Sequence, residues 1–408
     1  EMNVESNLGT GDITLQVGNV DSNNQTLSLE GDWTVALPIV SGGGVSFPQP
    51  LFLPTSSTVI FDGNGLNGNL AVGQKISVAS TKTGVDCTEC SDKAADLACS
   101  TSPFYNLVMN KTSGTAGSRI LNVIDYDMSI FNDLDLQVGE MRDNANQIRG
   151  NSTGQLTMNN NTKLMIGNNS LLTQATVFPT CFQTSNIDLG LGSPIGFVNN
   201  SGGVNANTNN ASTVHYEARR DQLIAGSTKM NGLDVGPAVY GTLRVSRNAV
   251  KSLTSGVTIE GSLRIDGGAT LRDMGYQIIG NSHNTNRLNE ILMLNNGSSL
   301  VLGTDETVAN LTYSSTNLPL NITVPLPVSS GTSTTFPLFT VGNGTLGNGL
   351  VNDIGSGGKM DLRDNTTVIF NSSNLAGQEV LGGFTYRNLT IGGLTANPAS
   401  PDVTKTIV

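Results

Sequence analysis

The sequence predicts an all-β fold, a parallel β-helix (β-solenoid) forming one elongated unit over residues 1–408 with inserted surface loops. Three observations carry that expectation. Helical periodicity is almost absent, whereas short alternating runs bounded by Gly, Asn and Asp recur along the whole chain. Several segments repeat one another. Strands of this kind, each with one apolar face, bury that face only by stacking on neighbouring turns. At about 22 residues per turn, with allowance for loops, roughly 14 to 17 turns are expected.

Composition fits a repeat array better than a set of globular domains. Charged residues are 13% of the chain and Gly 48 of 408, so the surface is polar with few charges. A net charge of -11 leaves too few cations to neutralise phosphates, which argues against nucleic acid as a partner. The uncharged run from Thr307 to Asn352 is broken by Pro319, Pro325, Pro327 and Pro337, so no membrane span is expected. The chain opens at Glu1 without a basic and apolar leader, which leaves a cytosolic protein or one whose signal has been removed.

Leu53 to Gly68 aligns without gaps on Leu362 to Gly377, setting Thr58-Val-Ile-Phe61 on Thr367-Val-Ile-Phe370. A weaker third copy is Thr213-Val-His-Tyr216. Each is followed by an aromatic strand: Phe104-Tyr-Asn-Leu-Val108, Tyr240-Gly-Thr-Leu-Arg-Val245 and Tyr386-Arg-Asn-Leu-Thr-Ile391. A two-strand coil from Leu156 to Gly167 aligns on Leu292 to Gly303, with Leu156, Met158, Leu164 and Ile166 on one face. Its Asn-Asn corner suits left-handed backbone, which Asn tolerates at little cost.

Two insertions interrupt the rhythm. The first, about 80–102, holds Cys87, Cys90 and Cys99, with Cys181 far downstream. Two disulfides in an oxidising, extracellular compartment suit an even count in such a chain. A zinc site would use the Cys87-x2-Cys90 pair but lacks a second close pair. Connectivity is open. The second insertion, about 194–212, is rich in Asn and Gly and reads as a surface excursion.

Thr58 to Gly63, then Phe104-Tyr-Asn-Leu107, then Gly261-Ser-Leu-Arg-Ile265 with Gly268-Ala-Thr-Leu271, together with Glu30-Gly-Asp-Trp33, resemble secreted repetitive β-helix surface proteins of the Bacteroidota type. The likeness covers nearly the whole chain, and the Cys-rich loop departs from it. It implies a right-handed solenoid and an extracellular, adhesive or structural role, with no catalytic residues and no cofactor.

Towards the C-terminus the third copy stops early. Asp12-Ile-Thr-Leu-Gln-Val-Gly18 matches Asp133 to Gly139 with a one-residue adjustment, and Gln25 to Gly31 follows as Gln147 to Gly150 does. The chain therefore reads as a circular permutation of its own repeat. Complementary, unlike ends make a heterologous contact that does not close. The expectation is a structural subunit of an extracellular filament or surface appendage, a homopolymer joined head to tail by β-augmentation. Ile13, Leu15 and Val17 would meet Leu389, Ile391, Val403, Ile407 and Val408 of the next copy. The alternatives are a segment of a longer secreted adhesin and a polysaccharide-binding or polysaccharide-degrading β-helix, whose partners would be surface glycans.

Residues with chemical potential were weighed against structural roles. Asp133 and Asp135, like Asp125 and Asp127, are spaced to face outward beside inward Leu134 and Leu136, as solvated carboxylates or a weak calcium site. His215 alternates with Val214 and Tyr216 and faces away from that buried pair, and neither it nor His283 has an evident Ser or Cys partner. Arg219 and Arg220 beside Asp221 form a solvated charge cluster or a glycan contact, and Trp33 is placed at a corner or a subunit joint. No metal site is assigned. Of fourteen Asn-x-Ser/Thr sequons, Asn110, Asn199, Asn310 and Asn388 are the named glycosylation candidates.

Overall fold

A computed structural model describes residues 2–3, 8–10, 12–15, 19–21, 23–35, 51–53, 56–63, 66–67, 70–71, 73–78, 104–112, 118–125, 127–150, 154–159, 162–168, 179, 198–199, 212–225, 227–230, 233–254, 256–259, 262–274, 276, 278–281, 290–302, 337–341, 351–352, 359–362, 366–370, 378–380, 387–391 and 405–407. Among them there is no helix, only short strands and the corners between them.

The longest sheet has eleven strands in chain order, from Ile13–Leu15 and Trp33–Val35 to Glu290–Leu294 and Lys359–Leu362. Each neighbouring pair in it is parallel. A seven-stranded parallel sheet runs from Leu8–Thr10 to Val198–Asn199, and a six-stranded parallel sheet from Gln222–Ile224 to Asn388–Ile391. A further six-stranded sheet, from Ser227–Met230 to Val351–Asn352, mixes parallel with antiparallel pairs.

The chain passes between these sheets in a fixed cycle. It goes from Leu134–Val138 in the seven-stranded sheet to Glu140–Arg142 in the eleven-stranded one, then to the small strand Ile148–Arg149, and back through Leu156–Met158 and Lys163–Ile166. Beyond the middle it cycles likewise through Leu263–Ile265, Thr270–Arg272, Ile278–Asn281 and Glu290–Leu294. The step is uneven. Leu121 pairs with Met141 twenty residues on, Trp33 with Ile76 forty-three on, and Leu164 with Val214 fifty on. Such lengthened steps space the strands of the longest sheet unevenly along the sequence.

Alternation does what the pattern requires. In Thr58–Phe61, Val59 and Phe61 are buried and the intervening positions half-buried, and the same period runs through Gln74–Val78, Asn106–Asn110 and Thr242–Val245. One cluster of buried apolar side chains extends from Leu27 to Val368. Trp33 is fully enclosed in it, its ring 5.3 Å from that of Phe104, which meets Phe61 edge-on at 6.2 Å. The ring turns inward at the start of its strand, directly after the bend at Glu30–Gly31, where the core offers a large ring apolar contact.

All three Thr-led strands are hydrogen-bonded in register to the aromatic strands that follow them: Thr58 opposite Asn106, Thr213 opposite Thr242, Thr367 opposite Asn388. The three copies nevertheless lie in three different sheets, of seven, eleven and six strands. Likewise Ile13–Leu15 is in the eleven-stranded sheet, whereas its sequence match Leu134–Val138 is in the seven-stranded one. The repeats thus recur as strand types and not as positions round the cycle, and this removes the permutation argument. The expected left-handed Asn at the second coil's corner is also displaced by one residue, to Gly297 with φ 76°, although Asn23, Asn24 and Asn144 take that conformation elsewhere.

Carboxylates tie successive strands together at the corners. Oδ1 of Asp12 accepts from the backbone N–H of Asp32, Asp32 from Lys75, Asp127 from Gln147, Asp133 from Gln155 and Asp221 from Val250, at 2.7 to 2.9 Å. Asp127 and Asp133, expected as free outward acids, are therefore rung-to-rung clamps, and Asp125 accepts from the Ser77 hydroxyl at 2.8 Å. Each carboxylate satisfies an amide that the strand ladder leaves over at a turn.

Candidate functional site

A polar cluster lies on the outward face of the eleven-stranded sheet. Register sets Met165, His215, Arg244, Arg264 and Met293 in one row across adjacent strands. Val214 and Tyr216 point the other way into the core, as alternation predicts. His215 is only 5% exposed, and its Nε2 lies 2.8 Å from Oγ of Ser246, itself 8% exposed. This partner was missed in the sequence because it is 31 residues away. The signal existed: once Thr213–Tyr216 is set against Thr242–Val245, Ser246 falls two residues beyond Arg244 on the same face.

Around this pair the charges are organised by strand ends. Arg244 Nε donates to Oδ2 of Asp266, and Asn295 Nδ2 to Oδ1 of the same carboxylate. Arg247 reaches Glu217 at 3.4 Å. Burial, helped by the guanidinium of Arg244, pushes the imidazole of His215 down to about 3, so it is neutral at ordinary pH. Burial raises Glu217 despite Arg247 beside it. His215 and Ser246 have the spacing of a base and its nucleophile, but both are packed beneath the arginines.

A cleft of about 620 Å³ opens over this cluster, lined by His215, Arg219, Arg244, Ser246, Arg247, Asn248, Asp266 and Gly267. Its wall depends on Gly268, at φ 75°, where a Cβ would lie 1.6 Å from Oδ1 of Asn248. Arg219 at the rim is exposed and has no ion-pair partner among the described residues. Only the Arg219 part of the expected Arg219–Arg220–Asp221 cluster lines the cleft, since the Asp221 carboxylate is taken by the Val250 amide.

The other sequence-predicted residues are scattered. Cys87, Cys90, Cys99 and Cys181 lie outside the described residues, as do Val17, Asn310, Val403, Val408, His283 and the two insertions apart from Val198–Asn199 and Ser212. Ile13 is half-buried in the outermost strand of the eleven-stranded sheet, and Leu15 shares that strand. Leu389 and Ile391 belong to the outermost strand of the parallel six-stranded sheet, and Ile407 to a two-stranded pair with Gln378–Val380. Asn110 is half-buried at a strand end, Asn199 ends the strand Val198–Asn199, and exposed Asn388 donates from Nδ2 to the Thr366 carbonyl at 3.1 Å. Asp135 is half-buried and accepts from Gln137 at 2.7 Å, and burial raises its carboxyl above the usual range. No group of three or more metal-ligating side chains occurs among the described residues, and no helix among them is long and apolar enough to cross a membrane.

Comparison with known proteins adds no relative: no family model, curated protein or solved structure matches the chain.

Proposed function

We propose that the chain is a structural, non-catalytic subunit of an extracellular filament or surface appendage, a right-handed parallel β-helix that joins head to tail by stacking of its outermost strands. The supporting observation is the fate of one core column. Leu271, Leu300, Val368 and Leu389 are successive register partners in the six-stranded sheet. The first three are buried and the last is 39% exposed, the one exposed large apolar side chain among the described residues. An apolar column that runs out at a strand edge invites a further parallel strand. In this proposal Ile13 and Leu15 of the next copy supply it, meeting Leu389 and Ile391 of one strand and Ile407 of the separate two-stranded pair. The resemblance to secreted repetitive surface proteins supports the same setting, in which disulfides and glycans at the sequons would add durability.

Electron microscopy of native material, with mass spectrometry of the intact chain, tests this. Filaments are expected, with an axial repeat no shorter than about 50 Å, the depth of eleven stacked strands at about 4.8 Å each. Leu389→Asp should shorten or abolish them while leaving the β-signal of the monomer intact. Isolated rods that never join, or a much heavier parent chain, would replace this proposal with a segment of a longer adhesin.

A further inference from the structure

The cleft over His215 has no task in a purely structural rod, and its lining is selective. Among the described residues, three guanidinium groups border it, of Arg219, Arg244 and Arg247, against the single carboxylate of Asp266. Asp266 occupies Arg244, and Glu217 occupies Arg247 from outside the lining. That leaves the exposed guanidinium of Arg219 as the unmatched charge. The remaining polar side chains of the lining, Ser246, Asn248 and the neutral imidazole of His215, carry no charge, and no Phe, Tyr or Trp lines the cleft among the described residues. Its volume of about 620 Å³ falls within the range of roughly 300–1,000 Å³ common for small-molecule sites.

We propose that this cleft is a binding site for a sugar acid, a hexuronate residue of an acidic polysaccharide, whose carboxylate pairs with Arg219 while its hydroxyls bond to Asn248, Ser246 and Asp266. A planar guanidinium matches a carboxylate with two parallel hydrogen bonds. Among the described residues one lining cation is free, which suits a monoanion better than a doubly charged phosphate. The only aromatic lining side chain among the described residues is the buried His215, which offers no broad face to a nucleobase, and a polar wall favours hydroxyls. The pairing of Arg244 with Asp266, and more loosely of Arg247 with Glu217 at 3.4 Å, orients these groups before a ligand arrives, which lowers the ordering cost of binding. The site stands on the flank of the eleven-stranded sheet and does not depend on whether copies join at their ends.

The test is calorimetric titration of the intact chain with a β-1,4-linked mannuronate trimer and, in parallel, with β-1,4-mannotriose, which differs only in lacking the carboxylates. Inorganic phosphate is the third titrant. Binding of the mannuronate trimer, weakened by added salt, with at least tenfold weaker binding of mannotriose and of phosphate, is the expected result. Arg219→Gln should reduce mannuronate affinity at least tenfold, while Lys75→Gln, far along the same sheet, should leave it unchanged. Arg219 is exposed, so its replacement leaves the core untouched. Gly268→Ala, which drives a methyl into Asn248, should weaken binding to a lesser degree. Equal affinity for the neutral trimer, competition by phosphate at the same concentration, full affinity in Arg219→Gln, or no binding at all would each overturn the assignment.

Discussion

Two regions of the interior solve one problem in different ways. Near Gly63 the ammonium of Lys111, fully buried, donates to the Gly63 carbonyl and to Oε1 of Gln74. Gln74 in turn donates to the Leu29 carbonyl at 2.9 Å and to that of Gly31 at 2.5 Å. Near Ala218 the equally buried Lys251 donates to the carbonyls of Ala218 at 2.6 Å and Arg220 at 3.0 Å. Gln222 there leaves the lysine alone: its Oε1 accepts from the Ala218 N–H at 3.0 Å and its Nε2 donates to the Ile166 carbonyl at 3.2 Å. In both regions a Gln and a Lys turned into the core close a corner whose carbonyls face inward. Such groups would otherwise be desolvated without a partner. Each cation is held by two amide oxygens; burial lowers Lys111 to about 8 against the pull of Asp62 and Asp32, and Lys251 to about 7 against that of Asp221 and Glu217. What surrounds the corners differs too, with Trp33, Phe104 and Phe61 filling the first half and the hydroxyl-linked pair Tyr216 and Tyr240, 3.3 Å apart, the second.

The largest effect should separate those two fillings. Trp33→Ala is expected to cost about 3–5 kcal/mol in urea unfolding, the usual range for emptying a large aromatic site. Tyr240→Phe keeps the ring but strands the Ala225 carbonyl it now serves, and should cost about 1–3 kcal/mol. A loss for Tyr240→Phe as large as for Trp33→Ala would show that the second half is held by its hydroxyls rather than by packing.

The lysines come next, through pH. A lysine whose folded value is depressed contributes stability that is complete above its ordinary value of 10.5 and is lost as pH falls through the folded one. Raising pH from 7 should therefore stabilise the fold, through Lys251 first and through both lysines above about 8, by at most about 1.4 kcal/mol per pH unit for each. Lys251→Met should remove most of the gain between pH 7 and 8, whereas Lys111→Met should leave that part and remove about half of the gain from pH 8 up to about 10.5. Identical profiles for the two variants would erase the distinction between the corners.

The smallest effect concerns Asp135, on the outer face of the first half. Its carboxyl is raised by burial, so the stability tied to its neutral form is present at low pH and is lost as pH rises through the folded value. Asp135→Asn should stabilise the protein at pH 7 by about a few tenths of a kcal/mol, with the difference shrinking towards pH 4. A destabilised Asp135→Asn at pH 7 would mean that its bond from Gln137 outweighs its burial.

The architecture was legible because its cause is local. Alternation fixed which side of each strand is buried, and the Thr-led strands and their aromatic followers proved to be adjacent rungs. The sheet to which each copy belongs was not legible, because a short apolar-polar strand followed by a Gly or Asn corner looks alike on every face. Thr58, Thr213 and Thr367 open similar strands in three sheets for that reason. Lys111 and Lys251 escaped notice because charged side chains rarely turn inward, and the carbonyls that hold them lie 31 to 48 residues away. The clamp role of Asp133 was hidden in the same manner, since its amide partner at Gln155 is set by register across 22 residues.

The uneven step of the ladder has a consequence for how such a chain tolerates change. Trp33 and Ile76 stay paired across forty-three residues where Ile13 and Trp33 manage with twenty. Closing a loop twice as long costs only about 0.6 kcal/mol more, so the pairing is nearly indifferent to what is spliced between the strands. Corners of this kind are ports at which foreign peptide can be carried at close to constant stability, whereas a single residue added inside a strand would turn its buried face outward.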